Sequence, residues 1–395
     1  GGLCIMNYEN VLSSRLKNIK PSGIRKFFEL LDGRDDVISL GIGEPDFVTP
    51  WHIRDAGIYS LERGFTHYTP NAGTMVLRRE ISAYLNRRFH MQYDPAGEIL
   101  VTVGGSEAID VALRALVDDD DEVLVPEPSF VCYGPMSRLT GAKPIAIPTR
   151  KEDQFKLTAE RLEAAITPRS KVLILPFPCN PTGAILLHDE LLQIAEVVIR
   201  HDLLVISDEI YAELTYDGEH VSIATIPGMK ERTVVVNGFS KAYAMTGWRL
   251  GYACGPHELI APMTLIHQYA IMSAPTTAQY AAVEAMRNGD ADILEMREEY
   301  DRRRRVICDR LNSLGLTCFE PRGAFYVFPS IERTGLSSEE FCARLLRERG
   351  VAVIPGNAFG DCGEGFVRCC YACSMRDLTE ALARIEVFLK DLGCV

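Results

Sequence analysis

From about residue 96 to residue 290, short apolar runs alternate with helical stretches, and this alternation constrains the fold of the 395-residue chain more than any other feature. The run EILVTVGG is followed by SEAIDVALRAL and then by DEVLVPEP; further on come KVLILPFP, LLVISDEI, TVVVNGFS and WRLGYACG. Each run is apolar or β-branched and closes in polar or glycine-rich residues, the pattern of strands buried on both faces. Strands alternating with helices imply an α/β fold with a mostly parallel, doubly covered sheet. Ligands of such sheets bind at the carboxyl ends of the strands, so the residues that close each run are the candidates for chemistry.

After residue 290 the texture changes to a charged helix, EMREEYDRRRRVICDRLNSLG, then strand candidates GAFYVFPS, GVAVIPG and GFVRCCYA and a last amphipathic helix, LTEALARIEVFLKDL. This reads as a smaller α+β domain. The four arginines at 302 to 305 have acidic residues one helical turn away, so they read as a solvated helix face.

The formal net charge of -12 argues against a nucleic-acid partner held by phosphate contacts, which needs clustered cations to displace counterions. An anionic ligand must meet local positive charge instead. No run of about 18 apolar residues is present to span a bilayer. The opening GGLCIMNYENVLSSRLKNIKPSG has no signal-peptide core, so the expected location is cytoplasmic, without a membrane partner. Twelve cysteines scattered from Cys4 to Cys394 suit a reducing compartment better than a disulfide framework. Cys370 and Cys373 form a C-x-x-C with no second ligand pair, and small apolar packing along a strand is the simpler account; no metal is expected.

The densest chemical signal is NGFSKAYAMTGWRLGY. Here Lys241 follows a strand-like run, where burial lowers a lysine pKa toward a useful amine nucleophile. Further along, Arg249 offers a guanidinium fork suited to phosphate. ISDEIYAEL closes a strand on Asp208, either a helix N-cap or an anion set against the ring nitrogen of an electron-sink cofactor. LPFPCNPTGAI places Asn180 in what reads locally as a tight turn. TVGGSEAIDVAL sets two glycines between a strand and a helix N-terminus, whose unpaired N–H groups and dipole favour an anion. Arg368, among Val367, Cys369 and Cys370, has little reason to be there except a ligand or a buried carboxylate.

From Gly238 through Gly251 the segment resembles, at every constrained position, the pyridoxal-phosphate (PLP) attachment signature of the class I and II, or fold-type I, aminotransferases. The resemblance runs from about SGIRKFFELL to the final helix, with the motifs in family order. It implies a large PLP-binding domain and a smaller α+β domain, divided here as an arm and part of the small domain at 1–45, the large domain at 46–290 and the small C-terminal domain at 291–395. It also implies roles. Lys241 forms the Schiff base with the cofactor and moves the proton, Asp208 faces the ring nitrogen, and Tyr211 and Asn180 hydrogen-bond the phenolic oxygen. Phe130 stacks on the ring, Gly105, Ser106 and Arg249 hold the phosphate, and Ser240 is a further cofactor contact. Arg368 grips the substrate α-carboxylate, with Gly43 and Asn180 beside it. Tyr68 matches a tyrosine that reaches the phosphate of a neighbouring subunit, which implies a homodimer with a shared site. Two positions depart from the pattern: Cys179 stands where many members have a second asparagine, and Gly238 where some have a serine.

SGIRKFFELL, SDEIYAELTYDG, HQYAIMSAPTTAQYAA and GAFYVFPS resemble the branch containing bacterial aromatic, aspartate and N-acetyl-diaminopimelate aminotransferases. That implies ping-pong transfer of an amino group to a 2-oxo acid such as 2-oxoglutarate. No single arginine marks a distal-carboxylate site, which favours aromatic or long-chain donors. Two other classes stay open. A C–S β-lyase would use the same lysine, aspartate and arginines, and a non-catalytic PLP-binding regulator would carry an attached DNA-binding domain, whereas this chain begins almost at the catalytic domain with a negative charge. A dinucleotide enzyme is disfavoured, since no G-x-G-x-x-G opens a helix after the first strand.

Overall fold

The computed structural model describes residues 6–8, 11–21, 24 and 36–394. The SGIRKFFELL segment, apart from Ile24, lies outside the described residues. A short strand, β1 (Ile38–Ser39), precedes the seven strands of the main sheet. These are β2 (Ile99–Thr102), β3 (Glu122–Glu127), β4 (Lys143–Pro148), β5 (Ser170–Leu175), β6 (Leu204–Asp208), β7 (Thr233–Gly238) and β8 (Gly251–Cys254). Their order across the sheet is β2-β8-β7-β6-β5-β3-β4. Only β8 runs against its neighbours, β2 and β7. The expected α/β architecture is therefore present, and the carboxyl ends of the other strands share one edge.

The apolar runs form strands because helices cover both faces. In β7 every residue is buried, and the Gly104–Leu116 helix turns Ala108, Ile109, Ala112, Leu113 and Leu116 inward at helical spacing. Strand β4 was absent from the sequence expectation. KPIAIP carries a proline at either end and stays partly exposed, which an edge strand tolerates.

Beyond residue 290 the long Asp290–Ser313 helix leads into β9 (Tyr326–Val327), β10 (Val351–Ala352), β11 (Ile354–Pro355) and β12 (Val367–Cys370). Strands β11, β12 and β9 make an antiparallel sheet, while β10 pairs in parallel with β1, so the two ends of the described chain meet. The Met375–Asp391 helix, capped by Ser374, packs Leu378, Leu382, Ile385 and Leu389 onto this unit.

The arginine run departs from the solvated face expected of it. Four successive residues sweep about 300° around a helix and cannot share one face. Arg302 and Arg305 are exposed, pairing with Glu299 and Asp301 at 2.8 and 2.7 Å. Arg303 and Arg304 are buried. Arg303 bonds Asp46 at 2.8 Å with its guanidinium over Phe47, and Arg304 donates to the Pro321 carbonyl at 2.8 Å and lies over Tyr216. Two cations thus join the helix to the residues on either side of it.

Candidate active site

The strand ends converge on a cavity of about 300 Å³ lined by every expected site residue except Tyr68. Asp208 terminates β6, Ser240 and Lys241 follow β7, Asn180 follows β5, and Phe130 follows β3. Gly105 and Ser106 lie in the first turn of the helix after β2. Arg368 comes from β12 and Gly43 from the segment after β1, so residues of both the large sheet and the β11-β12-β9 sheet line the cavity.

Lys241 Nζ donates to the Gly43 carbonyl at 2.7 Å and stands 5.8 Å from the centres of the Tyr211 and Phe325 rings. Burial pulls its ammonium down from the usual 10.5 to about 8; Arg368 and Arg249 add to the effect, and Cys370 and Glu44 oppose it. An amine that sheds its proton near neutrality is chemically available as nucleophile and base.

Asp208 is only 7% exposed, and burial pushes its carboxyl above the ordinary range. Two donors oppose that push: the Tyr133 hydroxyl at 2.6 Å and the Ile210 N–H at 3.2 Å. The N-cap-like bond and an open carboxylate edge thus coexist. Tyr133 was not singled out from the sequence, and EPSFVCY supplies no local cue to its partner across the sheet. Tyr326 was missed for the same reason. It shares a 2.8 Å hydrogen bond with Tyr211, and a Cβ on Gly43 would come within 2.4 Å of its hydroxyl oxygen, so this close approach requires glycine.

The anion end is built from backbone. Residues in a helix's first turn have N–H groups with no intrahelical acceptor, and Val103, which caps this helix, supplies no side-chain bond. Arg249 faces them: a Cβ on Gly104 would sit 2.7 Å from its Nη2, and Gly104 has φ +75°, so both space and backbone demand glycine there. Arg249 itself adopts a left-handed backbone, φ 53°, a strain of about 1 kcal/mol in a non-glycine residue. A Cβ on Gly238 would press within 3.0–3.2 Å of Gly251, Leu250 and Ile210.

Arg368 divides its fork between Asn180 Oδ1 at 2.8 Å and the Gly41 carbonyl at 2.6 Å, and lies 4.5 Å over the Tyr326 ring. Its buried Nε has no protein acceptor among the described residues. Tyr68 lies apart, 83% exposed at the surface and not among the described residues that line the cavity. Cys370, on β12, is buried with its thiol pushed up to about 11, in keeping with the packing role read from the strand.

The family model for aminotransferase class I and II matches residues 35–385. A putative aminotransferase, YugH, from Bacillus subtilis is 53% identical, over 96% of this chain and 98% of that protein. An aspartate aminotransferase from Pyrococcus abyssi is 46% identical over the same shares of the two chains. The crystal structure of an aromatic aminotransferase from Pyrococcus horikoshii superposes with a TM-score of 0.89 at 46% identity, covering 94% of this chain and 100% of that one. With both the family match and these likenesses running over nearly all of its length, the chain belongs to the class I and II, fold-type I aminotransferases, and it is an enzyme of that family.

Proposed function

We propose that the protein is a PLP-dependent aminotransferase that moves the amino group of an L-amino acid to a 2-oxo acid such as 2-oxoglutarate in two half-reactions. The observation that carries this reading is that Lys241, Asp208 and Arg368, drawn from β7, β6 and β12, open on one cavity. The residues present fit the cofactor: a glycine-built helix terminus opposite Arg249 suits its phosphate, and the unpaired Nε of Arg368 suits a carboxylate. When bound, PLP supplies an electrophilic carbonyl and a ring that delocalises the electron pair left at the substrate Cα.

Around it each side chain has work to do. Gly105, Ser106, Ser240 and Arg249 hold the phosphate, Phe130 packs on the ring, and Tyr211 and Asn180 hydrogen-bond the phenolic oxygen. Asp208, oriented by Tyr133, holds a proton on the ring nitrogen. Lys241, with its ammonium near 8, is the amine nucleophile and the base that takes the Cα proton. Arg368 orients the substrate through its α-carboxylate, and Gly43 admits the backbone approach.

The donor is of aromatic, aspartate or N-acetyl-diaminopimelate type. Aromatic and long-chain donors fit best, because Ile109, Phe130, Ile210 and Tyr326 line the cavity and its cations, Lys241, Arg249 and Arg368, already have roles. Residues 46–290 form the large domain, 291–395 the small C-terminal one, and the arm at 1–45 joins the latter, as the pairing of β1 with β10 supports.

The working form is a cytoplasmic homodimer. Tyr68 and Tyr269 are both 83% exposed, near Ile271 and Met272, and the two segments are tied by the bond from Asn71 to the Met272 carbonyl. An apolar face of this kind suits a second copy, whose Tyr68 completes the phosphate site. The free thiols of the described cysteines suit a reducing compartment.

The test is a half-reaction titration of purified protein with single amino acids, following loss of the cofactor's aldehyde-state absorbance and its recovery with a 2-oxo acid. Aromatic amino acids should convert it and an oxo acid restore it. Pyruvate and thiol released from a cystathionine-like substrate, without any acceptor, would replace this reading with the C–S lyase.

A further inference from the structure

At the turn from β2 into the Gly104–Leu116 helix, the partly buried Glu107 carboxylate pairs with a fully buried imidazole, and neither residue lines the cavity. Glu107, in the helix's first turn, bends back so that Oε2 accepts the Val103 N–H at 2.5 Å and Oε1 meets His267 Nδ1 at 2.5 Å. His267 is 0% exposed, sits on the His257–Ala270 helix, and has no partner at Nε2 among the described residues. Its sequence distance from Glu107 is 160 residues. A histidine buried this completely, with one polar atom unsatisfied, is costly unless the bond at its other nitrogen matters.

The chemistry of the turn explains what that bond does. Val103 stands at the N-cap and, being apolar, cannot cap its own helix. Glu107 closes the turn from inside the helix instead, taking the one N–H that precedes it. A free carboxylate there would swing into the positive potential of the helix terminus and compete with an incoming anion. The imidazole donor holds it against Val103 and away from that competition. Thr102 adds a second tie, from its hydroxyl to the Gly104 carbonyl at 2.8 Å.

We propose that Glu107 and His267 are positioning residues for the phosphate of the cofactor, locking the Val103–Ser106 turn so that the Gly105 and Ser106 amides face the anion. This rests on the PLP reading above. The pair touches neither substrate nor reacting atoms in that reading; it acts through the backbone of Gly105 and Ser106.

The experiment compares two ligands that differ only in the phosphate. Cofactor is stripped from the purified holoenzyme, and the affinities of the resulting apoenzyme for pyridoxal 5′-phosphate and for pyridoxal are measured by absorbance and fluorescence titration. Glu107→Ala and His267→Leu should weaken pyridoxal phosphate by about 10–100-fold, the scale on which groups that orient primary ligand contacts act. Pyridoxal should change less than about twofold. Glu107→Gln, which keeps an acceptor for Val103, should recover much of the loss. Unchanged affinity for pyridoxal phosphate overturns the assignment, and so does equal weakening of both ligands, which would mark a merely structural pair. If the alanine and leucine variants fail to fold, His267→Phe, which keeps a ring in the buried site and deletes the group bonded to Glu107, is read by the same ratio. Wild-type protein that binds neither ligand overturns the cofactor reading itself, a result distinct from any of these.

Discussion

Removing one hydroxyl, by Tyr133→Phe, tests how Asp208 is held. The ring is buried and packs edge-on to Phe130, so phenylalanine keeps the shape and deletes only the 2.6 Å bond to Asp208 Oδ2. A buried hydrogen bond to a carboxylate contributes about 1.5–3 kcal/mol. If most of that acts on the orientation and ionisation of Asp208, with 1.4 kcal/mol per factor of ten, the rate of the first half-reaction should fall about 10–100-fold. The direction in pH follows too. Burial already raises the Asp208 carboxyl and Tyr133 opposes it, so its loss raises that carboxyl further and moves the acid limb of the kcat/KM profile to higher pH. For the cofactor-free protein, a carboxyl raised in the folded state favours folding most below its unfolded pKa and loses that contribution as pH rises, so the variant should be less stable at neutral pH. Stopped-flow single turnovers from pH 5 to 9 measure the rate and the acid limb, and urea unfolding of the cofactor-free protein at pH 7 measures the stability. A variant with the parental rate within about twofold and an unmoved acid limb would refute this account of Asp208.

Three further outcomes are expected. In cofactor-free protein the lowering of Lys241 from 10.5 to about 8 costs the charged form about 3 kcal/mol, so stability should rise between pH 8 and 10.5 as only the unfolded chain keeps that proton. Lys241→Met should be more stable than wild type in urea at pH 7 and should lack this rise; a parallel pH dependence in both proteins would contradict it. Arg368→Lys loses the planar fork and its place over Tyr326, and should raise KM for the amino acid by about 10–100-fold with a smaller change in kcat, as steady-state kinetics will show. Gly43→Ala drives a methyl into the Tyr326 hydroxyl and should lower kcat/KM by about tenfold or more; adding Tyr326→Phe should restore part of the loss, and strict additivity in that double-mutant cycle would exclude the contact as the cause.

Much of the fold was legible because its signals are local. The apolar runs of β2, β3, β5, β6, β7 and β8 and the periodicity of the Met375–Asp391 helix are carried by neighbours in the chain. The edge strand β4 was not, since proline at both ends hides an element whose pairing comes from elsewhere. The candidate site was legible to the same extent: Lys241, Asp208, Asn180, Arg249 and Arg368 each stand in a recognisable segment.

What the sequence by itself determined was the alternation of elements and the kind of reactive group that each strand end delivers to the sheet edge. Tertiary structure alone decided which groups meet. Tyr133 reaches Asp208 across 75 residues, Tyr326 reaches Tyr211 across 115, and His267 reaches Glu107 across 160. The same packing buries Arg303 and Arg304 while their neighbours stay in water. A contact between distant segments leaves no periodic trace in either one, and the charge state of a buried group depends on that contact and on the water removed around it.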